Sequence, residues 1–363
     1  MIPILEPSIG NEELENVIEA LNSGWISSKG EFITKFEEKF AEYHGMGFGI
    51  STSNGTTALH LALKSIGIKK GDEVIVPSLT FAATANAVIY CNAKPILVDS
   101  HPDYWCIDPS KIEEKINKNT RAIIPVHLYG HPCDMGWIAD IANEHGLIIV
   151  EDAAEAHGAE YRGKKIGTFG EISCFSFYGN KIITTGEGGM CLTNDEEIAE
   201  RMKILRDHGM RPEKRYWHDE IGFNYRMTNL QAAVGVAQLK KMDDFIDKKR
   251  RIAEIYNRGL MEFHESGELM LHPEMSWARC VYWVYSIVLK KGSNMDLIRH
   301  LNSYGVDTRP FFYPLNLMPP YRDKSSFPVA ENLSYGGLSL PSSVEIGDET
   351  IKYVVDTLRE FFE

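Results

Sequence analysis

Leu147-Ile148-Ile149-Val150-Glu151-Asp152-Ala153-Ala154-Glu155-Ala156-His157 is the stretch that decides the fold. Four apolar residues in a row, followed by two acids, suit a strand buried on both faces rather than one washed by solvent. Two acids then stand where the strand ends. Such an acid reads as a helix cap or an ion-pair partner. It also reads as a group at the carboxyl edge of a parallel sheet, where these sheets bind ligands.

The same unit recurs on either side. Short strands are expected at Phe48–Thr52, Glu73–Pro77, Pro95–Asp99, Ala122–His127, Leu147–Glu151, Ile172–Phe177 and Gly189–Leu192. Helices are expected between them at Thr57–Ser65, Ala82–Tyr90, Ser110–Ile116 and Met135–Asn143. Asp108 before Pro109, and Asp134, read as caps. Asn194 is expected to open a helix running to about Asp207, with Gly209 just past its end. This alternation predicts an α/β fold with a mostly parallel central sheet covered on both faces. Thr228 to Leu260 reads as one long helix. A strand at Tyr282–Leu289, a helix at Met295–Tyr304, a strand at Val306–Phe312 and a closing helix at Glu349–Phe362 then suggest a smaller α+β unit. The expected division is a large α/β domain over residues 1–240 and a small C-terminal domain over 241–363.

The 363 residues give room for both units, and 44% hydrophobic and 25% charged residues are ordinary for a globular protein. A net charge of -13 argues against a nucleic-acid partner. No run of about 18 apolar residues exists, and the start lacks a basic segment followed by an apolar one. Neither a membrane span nor a secretory leader is expected, and a cytoplasmic location follows. The six cysteines (Cys91, Cys106, Cys133, Cys174, Cys191 and Cys280) form no C-x-x-C pair. Buried thiols are expected, with no metal site and no disulfide framework.

Three segments follow strands and belong at one sheet edge. Ser51-Thr52-Ser53-Asn54-Gly55-Thr56-Thr57-Ala58 is a turn of small residues opening a helix. Its backbone N–H groups suit a phosphate, though a capped helix start explains it as well. The second is the acidic segment quoted above. The third is Ser173-Cys174-Phe175-Ser176-Phe177-Tyr178-Gly179-Asn180-Lys181, followed by Gly186-Glu187-Gly188-Gly189. Partial burial would lower the pKa of Lys181 and make it a nucleophile, whereas a solvated loop lysine is the plain alternative.

Together these segments resemble the sugar aminotransferases of the DegT/DnrJ/EryC1/StrS family, which are fold type I enzymes of pyridoxal 5'-phosphate (PLP). The likeness runs from Ser23-Gly24-Trp25-Ile26-Ser27-Ser28-Lys29-Gly30 to Arg309-Pro310-Phe311-Phe312-Tyr313-Pro314. It implies that Lys181 forms the Schiff base with the cofactor. Asp152 would keep the pyridine nitrogen protonated, so that the ring acts as an electron sink. Glu155 would sit by the 3-hydroxyl, a position held by glutamine in many members. Phe81 would stack on the ring, while Gly55, Thr56 and Ser176 would contact the phosphate. Asn229 would reach the phosphate from a neighbouring subunit, so the active unit would be a homodimer or larger.

The resemblance further implies transfer of an amino group from glutamate to C4 of a nucleotide-linked 4-keto-6-deoxy sugar. The likeness is greatest to members acting on a GDP-linked 4-keto-6-deoxy mannose; a UDP- or dTDP-linked keto sugar is the alternative. Members with histidine in place of the lysine are dehydratases, so lysine at 181 favours amino transfer. Lys29, Lys214, Arg215, Arg226 and Arg309 are candidates for the substrate diphosphate, each otherwise a solvated charge. Trp217, Tyr216, His218, Tyr225, Phe311 and Tyr313 lie in segments that would line the sugar-nucleotide site, although Tyr216 and Trp217 suit a subunit contact equally. A non-enzymatic sensor would not need Lys181, Asp152 and Ser176 together. A nicotinamide enzyme is disfavoured, because no G-x-G-x-x-G follows the first strand.

Overall fold

A computed structural model describes residues 1–362. Two helices, α1 (Asn11–Asn22) and α2 (Glu31–His44), precede the sheet. The chain then alternates through β1 (Phe48–Thr52), α3 (Gly55–Ser65), β2 (Glu73–Pro77), α4 (Ala83–Tyr90), β3 (Lys94–Val98), β4 (Thr120–Ile123), α5 (Met135–His145) and β5 (Ile148–Asp152). A hairpin of β6 (Glu160–Tyr161) and β7 (Lys164–Lys165) leads to β8 (Ile172–Ser176), β9 (Gly189–Thr193) and α6 (Glu196–Arg206). Seven strands form the central sheet in the order β1-β9-β8-β5-β4-β2-β3. β9 runs antiparallel to both neighbours, and the remaining pairings are parallel. β8 and β9 are buried at every position, which explains their unbroken apolar or small-residue sequences.

Helix starts follow side-chain chemistry. Asn54 accepts the Thr57 N–H, Asp134 that of Trp137 and Asp195 that of Ile198. α6 is therefore capped by Asp195, not Asn194 as the sequence suggested. The expected helix at 110–116 is instead two 3-10 turns, Pro109–Lys111 and Glu113–Lys115. Asp108 draws both the N–H and the hydroxyl of Ser110, fixing a tight turn too short to propagate as α-helix.

The long helix expected from Thr228 is broken at Lys241 into α7 (Asn229–Lys240) and α8 (Met242–Glu265). No glycine or proline marks the break. Lys241 Nζ bonds Glu13 of α1 at 2.6 Å, and α8 turns away to pack on the C-terminal helix. Beyond it come β10 (Leu269–Met270), β11 (Ala278–Arg279), β12 (Ser286–Leu289), α9 (Asn294–Ser303), β13 (Arg309–Pro310), α10 (Pro328–Gly336), β14 (Gly337–Ser339) and α11 (Asp348–Phe362). Four of these strands form an antiparallel sheet, β10-β12-β14-β13, while β11 extends the β6–β7 hairpin. The expected strand at 306–312 is broken up: Val306 makes an isolated parallel bridge to Ile2 and Arg309–Pro310 pairs with β14, where proline offers the ladder no further N–H.

Two hydrophobic cores result. One fills both faces of the large sheet; the other gathers Tyr256, Leu260, Tyr285, Ile287, Leu301, Val354 and Leu358. All six cysteines are buried free thiols. No helix among the described residues is long and apolar enough to cross a membrane.

Candidate active site

The carboxyl ends of β5 and β8 and the turn after β1 open into one cleft of about 530 Å³, a size that suits a cofactor-scale ligand. Gly55, Thr56, Phe81, Asp152, Glu155, Ser176, Lys181 and Arg309 all line it. Sequence reasoning had picked each of them, across more than 250 residues of chain.

Asp152 is the last residue of β5 and is buried. Its carboxylate accepts from the Thr84 hydroxyl at 2.8 Å and from the Ala154 N–H at 3.3 Å. Burial raises its pKa, and these two donors with the Lys181 charge act against that rise. Glu155 stands 3.8 Å from Lys181 Nζ and accepts the Tyr129 N–H at 2.8 Å. Burial pushes its pKa up to about 7. Lys181 is pushed the other way: burial lowers its pKa, opposed by Glu155 and Asp152. The Nζ also sits 3.8 Å from the centroid of the Trp283 ring. An enclosed amine of lowered pKa is the form of lysine that attacks a carbonyl.

The phosphate end is equally specific. Gly55 and Thr56 open α3, whose N-terminus directs N–H groups and positive dipole into the cleft. A Cβ on Gly55 would lie 2.8 Å from the Cβ of Ser176. Glycine is therefore required for the Ser176 hydroxyl to reach the helix start. Opposite, Phe81 is 57% exposed, its ring 5.6 Å from that of Phe312. An apolar ring left open over a cleft is a surface waiting for a flat partner.

The residues fit PLP on three independent counts. The glycine-serine cradle takes a dianionic phosphate, the buried Asp152 lacks a cation of its own to pair with, and Lys181 lies in the same cleft. Among the described residues no His/Cys/Asp/Glu cluster in this cleft has metal-ligand spacing.

Other expected residues lie elsewhere in the single chain. Phe311 is core, packed on Tyr129 and Trp105, and Phe312 lines the cleft in its place. Successive side chains in an extended segment point to opposite faces, so a slip of one residue exchanges wall for core. Tyr313 is 64% exposed and outside the cleft lining. Asn229 is buried at the start of α7, where its side chain accepts the Phe32 N–H and donates to the Trp25 carbonyl. With Lys29 it lines a second opening, separate from the first.

Residues 211–221 are exposed, and the segment 211–226 bonds within itself and to His60, Asp207 and His208. Lys214 Nζ sits 3.6 Å over the Trp217 ring, and Trp217 donates to Asp219. His218 bonds the His208 carbonyl, Arg226 pairs with Asp207 at 2.7 Å, and Tyr225 meets His60 at 3.0 Å. Arg215 packs on the Tyr216 ring. None of these lines the cleft. Sequence reasoning missed Thr84, Tyr129 and Trp283. Thr84 sits in the Thr80–Thr84 run beside Phe81 and was within reach. Tyr129 and Trp283 arrive by tertiary packing and leave no local signal.

A large parallel sheet carrying a buried acid, a buried lysine and a phosphate cradle at one edge defines an aminotransferase-type cofactor site. Residues 7–359 match the model of the DegT/DnrJ/EryC1/StrS aminotransferase family, and the chain belongs to that family. It is 47% identical to the GDP-perosamine synthase of Escherichia coli O157:H7, over 99% of this chain and 98% of that one. Among solved structures, the aminotransferase TlmJ of Streptoalloteichus hindustanus superposes with a TM-score of 0.95 at 31% identity, covering 100% and 99% of the two chains. The Spr1654 protein of Streptococcus pneumoniae in its PLP form gives 0.92 at 25% identity, covering 99% and 98%.

Proposed function

We propose that the protein is a PLP-dependent aminotransferase that takes an amino group from glutamate and places it on C4 of GDP-4-keto-6-deoxy-D-mannose, giving GDP-perosamine. The observation that carries this reading is the enclosed Lys181 amine sharing one cleft with Asp152, in a chain nearly half identical to an enzyme of that name.

PLP supplies an aldehyde for an amine and a pyridinium ring that withdraws electrons. Gly55, Thr56 and Ser176 hold its phosphate, and Phe81 covers the ring and excludes water. Asp152 keeps the proton on the ring nitrogen. Lys181 would provide the amine that anchors the cofactor and, in its free form, would move the proton at the α-carbon of the donor. In the second half it delivers a proton to sugar C4 and so sets the configuration there. One group can serve both tasks because burial lowers its proton affinity. Arg309 and Phe312, on the cleft wall, face the incoming sugar.

The active unit in this reading is a homodimer with shared sites. Trp25 and Ile26 are exposed around the second opening, and Leu14, Ile18 and Leu21 form an exposed stripe on α1. A partner covering this surface would bring Lys29, Asn229 and the 211–226 segment toward a neighbouring cleft. Full activity of a monomer at high dilution would contradict the shared site. The division at residue 240 into a PLP-binding unit and a smaller closing unit is supported by the second core, whose buried members all lie between Ile252 and Leu358, while Val281, Trp283 and Phe311 tie the smaller unit into the first core; a cytoplasmic location suits a diffusible nucleotide-sugar substrate.

Incubating the enzyme with glutamate and a panel of GDP-, UDP- and dTDP-linked keto sugars tests the substrate. The GDP-linked 4-keto sugar should turn over fastest, by at least about tenfold, since discrimination lies in transition-state contacts. A faster UDP or dTDP substrate would displace the nucleotide assignment and leave the chemistry standing.

A further inference from the structure

A second buried lysine has no part in that chemistry. Lys249 lies on α8 and is 3% exposed. Its Nζ donates to the main-chain oxygen of Trp283 at 2.9 Å and of Ser342 at 2.5 Å. No carboxylate among the described residues pairs with it, and burial alone lowers its pKa to about 7. A lysine buried without a countercharge is a costly choice where a leucine or methionine would fit.

The cost is explained by the chain it holds. Residues 280–285 are enclosed yet belong to no strand, since β12 begins only at Ser286. The Trp283 carbonyl has no ladder partner there, and a buried carbonyl needs a donor. The segment is also tightly confined. Tyr282 is left-handed, with φ 46°. A Cβ on Gly130, itself at φ 97°, would lie 2.9 Å from the main-chain nitrogens of both Tyr282 and Trp283. From this fixed backbone the Trp283 indole reaches the active site. Its Nε1 donates to the Asn180 carbonyl at 2.6 Å, and its ring centroid is 3.8 Å from Lys181 Nζ. A small cavity behind the loop is lined by Asn180, Lys181, Thr184, Gln238 and Lys249.

We propose that Lys249 is a positioning residue: by clamping the Trp283 and Ser342 carbonyls it sets the indole against Asn180 and Lys181 and so aims the reacting amine. This rests on the assignment of Lys181 as the cofactor-binding amine. The amine then depends on three segments distant in sequence, namely α8, the 280–285 chain and the loop after β8.

The test follows cofactor capture rather than turnover. Pyridoxal 5'-phosphate is added to cofactor-stripped protein, and the growth of the visible band of the lysine-linked cofactor is timed. Lys249→Met and Trp283→Phe should each slow capture by about tenfold, the scale of a misaimed reactant. The double variant should be no more than about twofold slower than the worse single one, because both changes cut the same line of contact. Lys249→Gln, which keeps an N–H donor, should recover part of the rate. Capture by Lys249→Met at the wild-type rate would overturn the proposal, as would additive slowing to about a hundredfold in the double variant. Failure of both Lys249→Met and Lys249→Gln to fold would overturn it too, assigning the residue to stability alone. Borohydride trapping in the wild type separates this from the parent reading. No adduct on the Lys181 peptide refutes the amine assignment itself, whereas an adduct there with unchanged capture in Lys249→Met refutes only the role of Lys249.

Discussion

The cofactor cleft and the 211–226 segment are built on opposite plans. In the cleft, Asp152, Glu155 and Lys181 are enclosed, and the backbone N–H groups of Ala154 and Tyr129 hold the two carboxylates in place. In the segment, the charges are reached by solvent and held by local partners: Arg211 with Asp219, Lys214 over the Trp217 ring, Arg226 with Asp207 just before it. One region is preorganised within a single chain, as electrostatic catalysis demands. The other stands outside the cleft. The contrast teaches that the groups suited to the cofactor converge within one protomer, whereas most of the residues expected at the substrate diphosphate lie outside that cleft.

Removing the amine should separate the two most sharply. Lys181→Ala should lower turnover by at least about 10³-fold, because anchoring and proton transfer vanish together. Noncovalent PLP should still be retained on equilibrium dialysis. Asp152→Asn should come next, with kcat down by about 10²-fold, the usual scale for deleting one preorganised charge. Its KM for the nucleotide sugar should barely move in steady-state kinetics.

Arg226→Ala asks the converse question. KM for the nucleotide sugar should rise by about tenfold with kcat within about twofold, a loss of uniform binding. The rate and yield of cofactor capture should match the wild type. A disturbed cofactor in this variant would break the division between the regions.

The smallest effect belongs to Glu155. Its folded-state pKa, about 7, stands above the ordinary value of 4.5. Between those values the folded protein binds more protons than the unfolded chain, so this group's contribution to stability falls as pH rises through that window. In cofactor-free protein, Glu155→Gln should therefore melt close to wild type at pH 5 and a few degrees higher at pH 8. Equal melting at both pH values would show that the carboxyl carries no such burden.

How far the sequence reached follows the same physics. All seven strands of the large sheet were legible, since continuous apolar runs are what burial on both faces requires. Asp152 and Lys181 each follow such a strand, which set them at the sheet edge, but a helix cap and a loop lysine fitted as well, and only the family resemblance gave them their roles. The break at Lys241 was not, as it has no breaker residue and coincides with a tertiary contact, Lys241 with Glu13 of α1. Phe311 and Phe312 were exchanged because the paired strand is only two residues long and fixes no period. Trp283 and Lys249 were invisible, as their importance lies in contacts to residues 103 and 34 positions away, respectively.

Position 181 decides the central claim. The purified holoprotein should be reduced with borohydride, digested and its peptides weighed by mass spectrometry. A pyridoxyl-phosphate mass addition confined to the peptide containing Lys181 is the predicted result. An adduct on another lysine, or a protein that takes up no PLP at all, would contradict the account.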